Sequence, residues 1–239
     1  NLSHTPIELV ASTIDKIQEW TDVPVCLDSE GAQLRNQKMV SESVNFIQGE
    51  NVEIHFDSVV GDSNNISFTP NNVVPQLLIG DEIYVDFHHV CLKIIGMNDH
   101  SATAIVVSGG VVGSNKASDV NRDILFDPLS LKDKAAIEIG RERGIKHFAL
   151  SFANRRADVV LIRKLCGPDA NIISKIESSS GVQNLEDILT VTDEILIDRG
   201  DLSRKVALEK IPFLQRRIIS LAKTKKIPVY VATNLLESM

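Results

Sequence analysis

The residues that could do chemistry in this chain lie at the ends of short apolar runs. The segment NIISKIESSSG, residues 171–181, is apolar until it reaches Lys175 and Glu177, and it then breaks into serines and a glycine. Side chains alternate along a strand, so Lys175 and Glu177 share one face. An ammonium and a carboxylate side by side can hold an anionic substrate and stabilise developing negative charge, or they can form an ordinary ion pair.

Other strand-like runs end in a similar way. Their last residues can bind charge or form hydrogen bonds, and they are Asp28 and Ser29, Ser151 and Asn154, Asp198 and Asp201, and Thr233 and Asn234. In parallel α/β folds the carboxyl ends of the strands meet at one side of the sheet, where active sites form. We therefore expect these side chains to converge.

A divalent metal site is predicted at Glu177 and Asp201, which follow successive strands. Two hard oxygen donors suit Mg²⁺ or Mn²⁺, with water and substrate completing the coordination shell. Lys175 beside such a cation would bind an anionic substrate. Two structural alternatives stay open: Asp201 could cap the following helix, and Thr233 could have no role in catalysis.

The elements that position these residues are predicted from the apolar periodicity. From about residue 123 onward, uniformly apolar strands alternate with helical patterns, which indicates a parallel sheet covered by helices. The predicted strands lie at 146–152, 171–177, 194–198 and 228–233. The predicted helices lie at 130–144, 154–167, 181–191 and 205–226, with a kink or boundary at Pro212. A doubly wound sheet and a (β/α)₈ barrel are both compatible with this order.

Residues 36–121 have a different character. They carry alternating or β-branched runs separated by Gly, Asn, Asp and Pro, which indicates an all-β segment. The flanking sequence is α/β, so we predict an inserted all-β domain at 36–121 and a discontinuous α/β domain built from 1–35 and 122–239.

Composition excludes several classes of protein. The chain has 239 residues, 43% of them hydrophobic, and a net charge of −7. No run of lysines and arginines is present, which argues against a dedicated nucleic-acid binder. The three cysteines are widely spaced and favour a reducing compartment over disulfides or a zinc site. No apolar run reaches 18 residues and no signal peptide is evident, so we expect a cytoplasmic protein without a membrane span.

Six segments of the chain resemble motifs of the pyruvate kinase family. The segments that carry the resemblance occur in the family's order: NLSH, LDSEGAQLR, ALSFAN, ISKIESSSGVQNLEDIL, DEILIDRGDLS and VYVATNLLESM. The resemblance is specific from residue 146 to 239 and weak within 40–120. It implies a (β/α)₈ TIM-type barrel, incomplete in this chain, with the inserted β-rich segment as a lid domain.

The resemblance also implies an activity, its substrates and its cofactors. The family transfers the phosphoryl group of phosphoenolpyruvate to ADP, giving pyruvate and ATP in glycolysis. Mg²⁺ or Mn²⁺ would be required, K⁺ is a further expected cofactor, and a homo-oligomer is expected.

Roles for individual residues follow from the same resemblance. Lys175 would contact the transferring phosphoryl group, and Thr233 would lie near the enolate carbon. Glu177 and Asp201 would bind the divalent cation, and the backbone amides of Gly200 and Asp201 would hold the substrate carboxylate. The matching potassium ligands are Asn1, Ser3, Asp28 and Ser29. The matching substrate- or nucleotide-facing residues are Ser151, His4, Arg35 and Lys116.

The sequence departs from the family pattern at several positions. Asp198 replaces an alanine, and Gln33 replaces a glutamate that accompanies potassium. Phe87 and Asn234 replace an acidic residue and a glutamine. Asp198 is expected to face the substrate, where it would repel anions, stay protonated or bind the cation. These departures leave two alternative functions open: a metal-dependent lyase or aldolase acting on a pyruvate enolate, and a catalytically weak homologue that serves in binding.

Overall fold

The computed structural model describes residues 1–31, 33–86, 89–122, 124–203 and 206–233. Phe87 and Asn234, noted above as departures from the family pattern, lie outside these ranges. The chain divides into two compact units, one formed by Asn1–Ala32 with Asp127–Met239 and the other by Gln33–Phe126. Within the described ranges, no helix combines the length and the apolar character that a membrane span requires.

The first unit is an α/β unit with a five-stranded sheet. Its strands are β1 (Cys26–Asp28), β11 (His147–Leu150), β12 (Asn171–Ile176), β13 (Glu194–Asp198) and β14 (Val229–Ala232). Its helices are α1 (Ile7–Trp20), α2 (Leu131–Glu142), α3 (Arg156–Cys166), α4 (Ser179–Gln183), α5 (Leu185–Ile188), α6 (Arg199–Leu202) and α7 (Ile211–Thr224). A 3₁₀ turn at Leu208–Lys210 precedes α7.

The five strands are parallel and follow the order β1-β11-β12-β13-β14. Parallel pairing brings the carboxyl ends of all five strands to one side of the sheet. The prediction of a parallel α/β architecture is therefore confirmed. The (β/α)₈ TIM-type barrel, which was expected to be incomplete in this chain, stays a prediction: the described part of the unit contributes five parallel strands, and they do not form a complete barrel.

Helix boundaries follow the local sequence signals closely at α2. Ser130 caps this helix through a capping box with Asp133. Two other helices differ from the prediction. The helix expected at 181–191 is split into α4 and α5 at Asn184, and the helix expected at 205–226 begins only at Ile211, with Pro212 in its first turn.

The second unit is built mainly from strands. They are β2 (Leu34–Asn36), β3 (Val44–Phe46), β4 (Asn51–His55), β5 (Asn65–Thr69), β6 (Glu82–Val85), β7 (Val90–Met97), β8 (Ser101–Ser108), β9 (Gly110–Val112) and β10 (Ala117–Val120). Seven of them close into a barrel in the order β10-β2-β5-β4-β8-β7-β6, and β3 pairs with β9. Its core is separate from that of the first unit and includes Ile54, Phe68 and Leu92, each at most 1% exposed.

Candidate active site

Lys175 lies at the centre of a polar network at the carboxyl ends of the strands. Its side chain is 12% exposed, and its Nζ lies 3.1 Å from Asp28 Oδ1, 3.0 Å from Ser151 Oγ and 3.1 Å from Glu177 Oε1. Asp28 ends β1, Ser151 follows β11, and Glu177 follows β12. Parallel pairing in register therefore places side chains from three neighbouring strands around one ammonium group.

Glu177 is the most deeply buried acid of this network. The residue is 1% exposed, and its Oε2 accepts a hydrogen bond from the backbone amide of Phe152 at 2.8 Å. Its Oε1 is buried and forms an ion pair with Lys175 Nζ at 3.1 Å. A carboxylate oxygen has more than one lone pair, so Oε1 can accept a bound cation as well as the ammonium.

Burial and neighbouring charges shift the pKa values of Lys175 and Glu177 in opposite directions. Burial raises the pKa of Glu177 to about 7, against the Lys175 ammonium and the Phe152 amide, which both lower it. For Lys175, burial lowers the pKa, but Glu177 and Asp28 together raise it above the ordinary value. The lysine therefore keeps its positive charge at neutral pH.

Three carboxyl groups meet beside this pair. One oxygen from each of Glu177, Asp198 and Asp201 lies within 4.8 Å of the other two. Three carboxylate oxygens at this spacing, one of them from the buried Glu177, fit the requirements of Mg²⁺ or Mn²⁺. The two acids predicted to bind the metal are therefore brought together, and Asp198 joins them.

Asp198 makes contacts that sequence reasoning did not foresee. Its Oδ1 accepts hydrogen bonds from the amides of Gly200 at 3.0 Å and Asp201 at 3.4 Å, and from Thr233 Oγ1 at 2.7 Å. These are the two amides expected to hold a substrate carboxylate, so a substrate would have to displace Asp198 to use them. The signal in the sequence was the position of Asp198 as a helix N-cap, two residues before a glycine.

The residues matched to potassium ligands interact mainly with one another. Asn1 Nδ2 donates to Asp28 Oδ2 at 2.7 Å, and Lys175 Nζ binds Asp28 Oδ1. Ser29 Oγ accepts the Ser151 amide at 2.9 Å, while the Ser3 amide donates to Asn1 Oδ1 at 2.9 Å. These contacts tie the residues to one another and to Lys175 and Ser151.

The other predicted binding residues lie in both units. His4 is exposed in the first unit. Arg35 and Lys116 belong to the second unit. Arg35 donates to the Asn115 carbonyl and to Gln33, while its Nε is buried without a hydrogen bond, and Lys116 pairs with Asp86 at 3.3 Å.

Comparison with known proteins identifies the family. A sequence model of the pyruvate kinase barrel domain matches residues 1–239. The chain belongs to the pyruvate kinase family. Curated relatives named pyruvate kinase include those of Bacillus licheniformis, 30% identical over the whole chain and 43% of the relative, and Mycobacterium intracellulare, 32% identical over 91% of the chain and 47% of the relative. A third, from Thermococcus litoralis, is 27% identical over the whole chain and 52% of its own length.

These relatives are longer than the chain, which spans about half their length. The resemblance stated from the sequence motifs is thus confirmed at the level of the family.

Proposed function

We propose that this chain carries the phosphoryl-transfer site of a pyruvate kinase-like enzyme, which converts phosphoenolpyruvate and ADP to pyruvate and ATP with a divalent metal. The observation that carries the proposal is the position of Lys175 Nζ, 3.1 Å from Glu177 Oε1, next to a cluster of three carboxyl groups. Phosphoryl transfer depends on positioning and charge neutralisation, and a fixed ammonium beside a divalent cation supplies both.

Each residue has a distinct part in this proposal. Lys175 holds the transferring phosphoryl group and stabilises the charge that develops on its oxygens. Asp28 and Ser151 hold the ammonium in place, because both contact Nζ directly. Thr233 presents its hydroxyl near the enolate carbon that must gain a proton when pyruvate forms.

Glu177 and Asp201 would hold the divalent cation. When bound, the cation neutralises the phosphoryl and enolate oxygens and orients the substrate. Burial of Glu177 keeps water from its Oε1, so its charge acts on whatever occupies the cluster with little screening.

The test is pyruvate formation from phosphoenolpyruvate in the presence of ADP and Mg²⁺, coupled to lactate dehydrogenase and followed as NADH consumption. We expect turnover that requires both ADP and Mg²⁺. Pyruvate release without ADP would indicate a phosphatase, and an absence of turnover with a folded protein would reject the proposal. Repeating the assay in Na⁺ and in K⁺ tests the potassium expectation separately.

The family relationship gives no support to the lyase or aldolase alternative. All the relatives cited above carry the name pyruvate kinase. The kinase is therefore the function proposed.

A further inference from the structure

Asp198 connects two elements that carry proposed functional groups. It ends β13, and its Oδ1 receives hydrogen bonds from the start of α6 and from Thr233, which follows β14. Asp198 Oδ1 thus links the turn that contains Asp201 to the Thr233 hydroxyl.

Thr233 has a backbone conformation that is unfavourable for its side chain, so a stabilising hydrogen bond matters there. Its φ is +64°, in the left-handed region, which β-branched side chains rarely adopt. The side-chain hydrogen bond to Asp198 Oδ1, at 2.7 Å, points its hydroxyl proton toward β13. The lone pairs of Thr233 Oγ1 are therefore left to accept hydrogen bonds from other groups.

Gly200 permits this close approach. A Cβ atom built on Gly200 would lie 2.8 Å from Thr233 Cγ2 and 3.3 Å from Asp198 Oδ1. The first distance is too short for real atoms, so Asp198, Gly200 and Thr233 are packed as one unit. A shift of Asp198 would therefore move both neighbours.

We infer that Asp198 is a positioning residue that fixes the Thr233 hydroxyl and the Gly200–Asp201 backbone relative to each other. The inference rests on the proposed function for its catalytic consequence, but the hydrogen-bonded unit itself does not depend on that function. The sequence predicted only roles for the charge of Asp198, whereas these hydrogen bonds give its side chain a positioning role.

Two substitutions separate positioning from charge. Asp198→Asn and Asp198→Ala both remove the negative charge, but only asparagine keeps an oxygen that can accept the three hydrogen bonds. A difference between these variants therefore reports the polar side chain and not the lost charge, which both variants share. Misplacement of reacting groups by about 1 Å can cost on the order of a hundredfold in rate. We expect kcat for pyruvate formation to be at least about tenfold higher in Asp198→Asn than in Asp198→Ala, with a smaller difference in KM.

Coupling to Thr233 is measured in a double-mutant cycle of Asp198→Ala and Thr233→Val. Valine keeps the branched shape of threonine and removes the hydroxyl. If Asp198 acts through Thr233, the two effects on the urea unfolding midpoint and on kcat are not additive. Asp193→Ala is a matched control, because Asp193 also accepts a backbone amide and a side-chain donor, those of Ile172 and Arg163, at the opposite end of the strands. Its effects should add to those of Thr233→Val.

The outcomes are distinct. A wild-type protein without kinase activity rejects the proposed function, while the unfolding cycle still tests the Asp198–Thr233 unit. Additive effects in that cycle overturn the inference, and so does equal kcat in Asp198→Asn and Asp198→Ala. A rise in kcat or in phosphoenolpyruvate affinity in both variants alike would assign Asp198 to charge repulsion instead.

Discussion

At Glu177, burial disfavours the negative charge of the carboxylate, while the neighbouring ammonium favours it. The residue is almost fully buried, and burial raises its pKa to about 7. The ion pair with Lys175 compensates only part of the lost solvation. A buried acid of this kind is costly for folding, and groups with such raised pKa values cluster at functional sites.

Glu177→Gln should weaken Mn²⁺ binding. The amide oxygen of glutamine can still accept the Phe152 amide, so the local fold is kept while the charge is lost. We expect the dissociation constant to rise by at least about tenfold, the scale of losses seen when metal-site partners are removed. Titration of Mn²⁺ followed by its electron paramagnetic resonance signal measures this directly. Glu138→Gln, at an exposed position of α2, is the control and should leave the affinity unchanged. Equal affinity in wild type and Glu177→Gln would remove Glu177 from the metal site.

At the residue scale, the sequence predicted the placement of side chains that depends on strand periodicity. Lys175 and Glu177 were placed on one face because they are two residues apart, and the structure shows them 3.1 Å apart. The contact of Asp198 with Thr233 could not be predicted, since it depends on the left-handed backbone of Thr233 and on a close approach at Gly200. Neither feature leaves a periodic signal in the sequence.

At the scale of elements, Asp133 links α2 to the loop that follows β1. The residue is fully buried, and its carboxylate accepts hydrogen bonds from the amides of Ser130 at 3.0 Å, Glu30 at 2.7 Å and Gly31 at 3.2 Å. It therefore closes the capping box of α2 and also holds the segment after Asp28, which contacts Lys175.

Asp133→Ala should destabilise the fold more than Ser130→Ala. Ser130→Ala removes one cap and should cost about 1 kcal/mol of unfolding free energy. Asp133→Ala removes a charged acceptor of three backbone amides and should cost about 3 kcal/mol. Urea denaturation followed by circular dichroism measures both, with Lys134→Ala on the same helix as an exposed control. Similar losses for the two variants would show that Asp133 acts only as a cap.

The buried thiol of Cys166 on α3 should make stability depend on alkaline pH. Burial raises the pKa of this thiol to about 12 from 9.0. Because the folded-state pKa lies above the unfolded one, the contribution to stability is fully present below pH 9.0 and is lost as pH rises through about 12. Over that window the unfolding free energy of the wild type should fall more steeply than that of Cys166→Ala.

Ile162→Val is the control for this measurement, since Ile162 is buried on the same helix and does not titrate. Its unfolding free energy should run parallel to that of the wild type from pH 8 to 12. Parallel curves for the wild type and Cys166→Ala would contradict the assignment of the alkaline loss to this thiol.

Elements whose ends are marked by single residues were predicted well from the sequence. Features that depend on contacts between distant parts of the chain were not. The capping box of α2 and the boundary at Pro212 can be read from single residues. The split between α4 and α5 could not, because Asn184 interrupts a pattern that stays apolar on one face. In the second unit, strand order includes a parallel pair, β4 with β5, which is fixed by non-local contacts.

At the scale of the whole molecule, the proposed chemistry belongs to one of the two units. The side chains of the Lys175 network and of the carboxylate cluster all come from the unit formed by Asn1–Ala32 and Asp127–Met239. This follows from the parallel order of the five strands, which gathers their carboxyl ends on one side. The closed barrel of Gln33–Phe126 has its own core and was recognisable from the sequence only as an all-β segment.

The central claim is phosphoryl transfer that depends on the Lys175 ammonium. Lys175→Met keeps an unbranched apolar stem and removes the charge that acts mainly on the transition state, so it should lower turnover by at least about a hundredfold. Lys146→Met, at an exposed position just before β11, is the matched control and should behave like the wild type.

The most direct measurement is ³¹P nuclear magnetic resonance of phosphoenolpyruvate, ADP and Mg²⁺ incubated with the wild type, Lys175→Met or Lys146→Met. We predict that the γ-phosphate signal of ATP grows as the phosphoenolpyruvate signal declines, with the wild type and with Lys146→Met but not with Lys175→Met. An unchanged phosphoenolpyruvate signal with the folded wild type, release of inorganic phosphate in place of ATP, or equal ATP formation by Lys175→Met would contradict the account.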